Sequence, residues 1–134
     1  KEDKTIWNEI ERYFCARIVH LGERSDIPSI LAYCDAMCLP SIWEGLPMIL
    51  LETLAVGCVP ICSPVGGIVD VITSGKNGIL SNSSSEEDYF QAVSSFLQLT
   101  NEEKSRMKEQ GLNTFKSYMI QNVVKDYMDL YIKK

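Results

Sequence analysis

Two acids, Glu44 and Glu52, stand eight positions apart on either side of Gly45-Leu46-Pro47. Gly45 lets the backbone come close to a ligand. Pro47 suits the first position of a helix, so the amides from about Leu46 to Ile49 should point outward unpaired. An anion belongs at such a place, held by N–H groups and by the helix macrodipole, which alone contributes ~0.3–1 kcal/mol at an exposed site. A diphosphate fits that description. Glu52, a turn or so further in, could accept hydrogen bonds from the vicinal hydroxyls of a ribose, with Glu44 in the loop beside an attached sugar. Taken singly, Glu44 reads first as a solvated loop acid and Glu52 as an acid favoured by the dipole alone. Taken together they point to a ligand, because Glu52 interrupts the apolar run from Met48 to Leu54 and an ionised acid there needs a partner.

The elements that would position these acids alternate along the chain. Ile6, Trp7, Ile10 and Phe14 fall at helical spacing over Lys4 to Phe14, and Arg17 to His20 is a short β-prone run closed by Leu21-Gly22. Asp26 is placed to cap a helix with Pro28 in its first turn, ending near Cys34, and Ala36 to Leu39 is an apolar run stopped by Pro40. A further helix runs from Pro47 through Ala55 to Gly57, followed by the apolar run Cys58 to Cys62. Gly66-Gly67 then precedes a helical stretch, Ile68 to Thr73, and Lys76-Asn77-Gly78 turns the chain into Ile79-Leu80. Short apolar strands between helices imply a parallel sheet covered on both faces. Residues 1–82 therefore read as a doubly wound α/β layer, with the Glu44 stretch at the carboxyl ends of its strands, where such sheets bind ligands.

Residues 83–134 read as helices only. Ser81 to Ser85 is a loop and capping cluster, and Tyr89, Val93, Phe96 and Leu97 form an apolar stripe. Thr100 with Glu103 spells a capping box, Gly111 suggests a helix stop, and Val123, Val124, Tyr127, Leu130 and Tyr131 give a last amphipathic helix. Its aromatic residues read as core or interdomain packing. Residues 1–134 are expected to form a single domain, without internal repeats.

With 13 basic and 18 acidic residues the formal net charge is −5, so the general field repels nucleic acid and anionic bilayers. An anionic ligand must then rely on local backbone dipoles. A hydrophobic fraction of 46% with 23% charged residues is ordinary for a globular protein, and no run reaches the ~20 apolar residues of a membrane span. The cysteines at 15, 34, 38, 58 and 62 lack the short paired spacings of a zinc site and read as reduced core residues, consistent with a cytoplasmic location. The first residue is Lys1, so a preceding segment is expected. His20, the single histidine, reads as a strand-end residue with a satisfied ring.

The stretch from Glu44 to Glu52 resembles the E-x7-E signature of the retaining glycosyltransferases with the GT-B fold, the group 1 type. The likeness extends to Leu21-Gly22, Asp26-Ile27-Pro28, Cys34-Asp35 and Pro40-Ser41 before it. It continues through Leu54 to Pro60, Val65-Gly66-Gly67 and Asn77-Gly78 after it, covering roughly residues 17 to 82 in order. Asp70 departs from the pattern, standing where the family often has Glu after the double glycine, and so does His20, where an apolar residue is common.

The resemblance implies the Rossmann-like C-terminal half of a GT-B fold with a helical C-terminal tail. It assigns Glu44 to the donor sugar and transition state, Glu52 to the ribose, and the turn Gly45, Leu46, Pro47, Met48 and Ile49 to the diphosphate. The loop from Gly22 to Arg24 would lie against the base, although Arg24 also reads as a solvated loop charge. Gly66 and Gly67 would approach the donor or form only a strand-to-helix turn. The implied activity is hexose transfer from a nucleoside diphosphate sugar to an acceptor hydroxyl with retention, needing no metal and no other cofactor. The family's basic phosphate-binding residues and its acceptor domain would lie upstream of Lys1, so this chain alone is expected to be inactive. Peripheral attachment to a membrane would fall to that absent domain, and the tail's apolar face would lack its partner. The rival readings are a nucleotide-sugar epimerase of related fold and a non-catalytic sugar-nucleotide-binding module. Intact Glu44 and Glu52 argue against the second.

Overall fold

The computed structural model describes Tyr13 and residues 18–132. The helix expected over Lys4 to Phe14 and the start of the strand expected at Arg17 lie outside these, apart from Tyr13; Val19 and His20 carry no regular structure. The described elements run α1 (Ile27–Leu31), β1 (Ala36–Leu39), α2 (Met48–Ala55), β2 (Val59–Cys62), α3 (Ile68–Val71), β3 (Ile79–Leu80), α4 (Glu86–Gln98), α5 (Asn101–Ser117) and α6 (Ile120–Ile132). The strands form a parallel sheet in the order β1-β2-β3, in register Ala36↔Val59 and Ile61↔Ile79.

Side chains alternate across the sheet, and each face has its own cover. On one side Met37 and Cys62 join Leu31, Leu50, Leu54, Ile68 and Val71, from the helices α1 to α3. On the other, Val59, Ile61 and Ile79 meet Ala92 and Phe96 of α4 and Met107 of α5. This is the doubly wound layer expected from the alternation.

Pro60 occupies the middle of the central strand, a position that normally requires a donor. Val59 N–H donates to Asp35 O and Ser63 N–H to Leu39 O, so the residues between alternate away from β1. Pro60 thus turns its missing donor toward β3, whose pairing begins only at Ile61. Beyond β3 the outward Leu80 N–H is taken by Ser74 Oγ at 2.9 Å.

The caps read from the sequence are present in the later helices. Asp88 N–H donates to Ser85 Oγ, and Thr100 and Glu103 complete a reciprocal capping box. Four readings need correction. Asp26 stands at the start of α1, but its side chain does not cap, because its carboxylate is engaged by Arg24. Leu97 is 70% exposed, and the inward stripe of α4 is Tyr89, Ala92, Val93 and Phe96. Cys38 is exposed, whereas Cys58 and Cys62 are core thiols. Gly111 does not end a helix but lies buried in the middle of α5.

The reason for that glycine is the neighbouring helix. A Cβ on Gly111 would lie 3.1 Å from Leu54 Cδ2, so its absence lets α5 seat closely on α2. We expect Gly111→Val to destabilise the fold by about 1–3 kcal/mol through overpacking, read by denaturant unfolding. A wild-type midpoint would show that the helices part without cost.

The last helix exposes Val124, Tyr127, Leu130 and Tyr131, each at least half exposed, and these aromatic rings are therefore not core. No helix among the described residues is long and apolar enough to cross a membrane.

Candidate functional site

The loop from Pro40 to Pro47 leaves the C-terminal end of β1 and delivers the chain to α2. Within it Glu44 is half-buried, and Ser41 Oγ donates to Glu44 Oε1 at 2.7 Å. The carboxylate lies close enough to the end of β2 to act on Cys62. Burial above all, with smaller contributions from the negative fields of Cys38 and Glu44, pushes the Cys62 thiol up to about 12.

A second loop holds the first in place. Gly67 N–H donates to Gly45 O at 2.7 Å, and Gly66 adopts a left-handed backbone with φ of 52°. A Cβ built on Gly66 would fall 1.9 Å from Glu44 O, a separation no side chain could share. The double glycine is therefore required by the backbone of the Glu44 loop.

Pro47 proves to be the N-cap residue of α2, in extended conformation, one position earlier than expected. Its carbonyl accepts from Leu50 N–H, while the amides of Leu46, Met48 and Ile49 find no acceptor among the described residues. The unpaired donors expected from the sequence are thus present at the start of the helix. Glu52 follows one turn in, half-buried, its carboxylate without a hydrogen bond or ion pair among the described residues. It borders a groove of about 430 Å³ that Met48 and Leu51 share with Phe115, Tyr118 and Gln121. Sequence reasoning did not foresee that the junction of α5 and α6 borders Glu52. The aromatic pair Phe115 and Tyr118, three positions apart near a helix end, was the available signal.

The loop from Gly22 to Arg24 is exposed. Arg24 makes a two-pronged ion pair with Asp26, Nε to Oδ1 at 2.7 Å and a terminal nitrogen to Oδ2 at 2.6 Å. The hydrogen bonds raise the Arg24 pKa and lower that of Asp26. Ile42 and Trp43, next to Glu44, are 84% and 83% exposed, leaving an apolar rim around the loop. Beyond it a groove of about 500 Å³ opens between Pro40, Ile42, Ser63, Tyr89 and Phe90.

A doubly wound layer with unpaired amides and two acids at a strand-to-helix turn is the setting of a nucleotide-binding α/β domain. A family model described as "Glycosyl transferases group 1" matches residues 1–114, and the chain belongs to that family. A Campylobacter jejuni protein named N,N'-diacetylbacillosaminyl-diphospho-undecaprenol alpha-1,3-N-acetylgalactosaminyltransferase is 34% identical over 88 residues, 66% of this chain and 23% of that protein. Anabaena HepE, solved with UDP-glucose, superposes with a TM-score of 0.77 at 18% identity, over 98% of this chain and 36% of its own. The C-terminal domain of the Francisella tularensis group 1 protein LpcC superposes at 0.68 with 19% identity, over 87% of this chain and 62% of that domain's chain. The chain thus spans about a quarter of its curated Campylobacter relative and about a third of HepE.

Proposed function

We propose that this chain is the donor-binding part of a retaining glycosyltransferase that moves a hexose from a nucleoside diphosphate sugar to an acceptor hydroxyl. The observation that carries the reading is the continuous unit from Ser41 to Glu52. It presents a tethered carboxylate, unpaired helix amides and a free acid at one end of the sheet. The relatives' names and the sugar nucleotide in HepE support it. The pair Glu44 and Glu52 is the E-x7-E signature of this site.

Each part has a separate task. The amides between Gly45 and Ile49 receive the diphosphate, supplying local positive potential in a chain of net charge −5 and doing without a metal ion. Glu52 accepts hydrogen bonds from the ribose hydroxyls. Glu44 accepts from hydroxyls of the donor sugar, and its negative charge stabilises the positive charge that grows on the sugar ring as the bond to phosphate breaks. The bond from the sugar carbon to the phosphate oxygen breaks, the bond to the acceptor oxygen forms, and the acceptor proton passes to the departing phosphate. Gly22, Arg24, Gly66 and Gly67 border the donor, the last two also fixing the Glu44 loop. The acceptor-binding domain and the basic residues that share the phosphate belong to another part of the protein.

If Glu52 binds ribose, Glu52→Gln weakens UDP and UDP-glucose alike, by about 1–3 kcal/mol, the range for a hydrogen bond to a charged group. Calorimetric titration of the full-length protein with both ligands measures this. Wild-type affinity for both would remove Glu52 from the site.

A further inference from the structure

Resting on the assignment of Glu44 to the donor sugar, we propose that Ser41 is a positioning residue that aims the Glu44 carboxylate. The loop that carries Glu44 has no regular secondary structure from Pro40 to Pro47. Its backbone is nonetheless fixed: Gly66 fits against Glu44 O without room for a Cβ, and Gly67 N–H holds Gly45 O. What that clamp leaves free is the side chain of Glu44, with its own rotatable bonds. Ser41 Oγ, also half-buried, occupies one carboxylate oxygen, Oε1, at 2.7 Å. It is the single hydrogen-bond partner of that carboxylate among the described residues.

The consequence is a division of labour between the two oxygens. A hydroxyl has one proton to donate, so Oε1 is tethered and Oε2 remains available to accept from a ligand hydroxyl. Tethering removes the rotamers that would swing the acid into solvent, so the group is aimed before the donor arrives. Ser41 itself need not touch the sugar. Its loss lowers turnover by disordering Glu44 and leaves the nucleotide end of the ligand unaffected.

The test uses the full-length protein and counts nucleoside diphosphate released from a sugar nucleotide, with water as acceptor. UDP-glucose, UDP-galactose and ADP-glucose are offered in turn, and the fastest is used. Ser41→Ala is expected to reduce kcat about tenfold with unchanged affinity for the bare nucleoside diphosphate. Ser41→Thr, which keeps the hydroxyl, restores at least half of the rate. In a Glu44→Ala background, Ser41→Ala has no further effect, because the group it positions is gone. Wild-type turnover in Ser41→Ala, or an equal loss in both backgrounds, overturns the positioning role while leaving the assignment of Glu44 intact. Turnover of none of the three sugar nucleotides, or wild-type turnover in Glu44→Ala, overturns that assignment itself.

Discussion

Glu44→Gln in the full-length protein lowers kcat by about two to three orders of magnitude, while the affinity for UDP stays at the wild-type value. The size follows from removing one preorganised electrostatic partner of a developing charge, an effect of about 3–4 kcal/mol where it has been isolated. The split follows from geometry: the unpaired amides assigned above to the diphosphate belong to Leu46, Met48 and Ile49, whereas Glu44 lies before them in the loop. Gln is close in shape and can still accept from Ser41, so the loss reports the charge rather than a collapsed loop. Steady-state rates and titration with UDP and UDP-glucose measure both halves. A fall in UDP affinity comparable to the fall in rate would mean that Glu44 shapes the phosphate site instead.

The largest effect on stability is expected at Asn77, far from the acids in sequence. Its side chain is buried and fully used: Oδ1 accepts from Thr73 N–H at 2.8 Å, and Nδ2 donates to Val71 O and to Thr114 Oγ1, both at 2.9 Å. One amide thus joins the end of α3, the turn into β3 and the helix α5. In Asn77→Ala the hydroxyl of Thr114 keeps its bond to Gln110 O, but the buried Val71 O loses its partner, as does the N–H of the exposed Thr73. Losing three hydrogen bonds, one of which leaves a buried carbonyl unpaired, costs about 2–4 kcal/mol. Urea unfolding of the variant reads the loss, and a change under about 0.5 kcal/mol, the level of an ordinary surface substitution, would show that the amide is not what joins these elements.

Much of this architecture is legible in local patterns. The alternation of short apolar runs with helical stretches places β1 to β3 and the strand-to-helix turn, because a parallel sheet buried on both faces needs such runs. Thr100 and Glu103 declare a helix start by chemistry confined to four residues. What remained hidden depends on contacts between segments distant in sequence. Gly111 looked like a terminator because glycine often is one, and only the approach of Leu54 explains it. Asn77 looked like a turn residue, and nothing nearby announces that Thr114, 37 positions on, completes its hydrogen bonds. In the site, the acids and the helix start could be read directly. The Gly66-Gly67 clamp could not, because it is a backbone meeting between two loops.

The short third strand bears on how this protein behaves in a crowded solution. A sheet edge with open N–H and C=O groups is a template on which another chain can add a strand, the first step toward fibrils. Here the edge is only two residues long, and its outward amide at Leu80 is already satisfied by a serine hydroxyl. An incoming strand would find too few free groups to form a stable ladder, so self-association by sheet extension at this edge is disfavoured by construction.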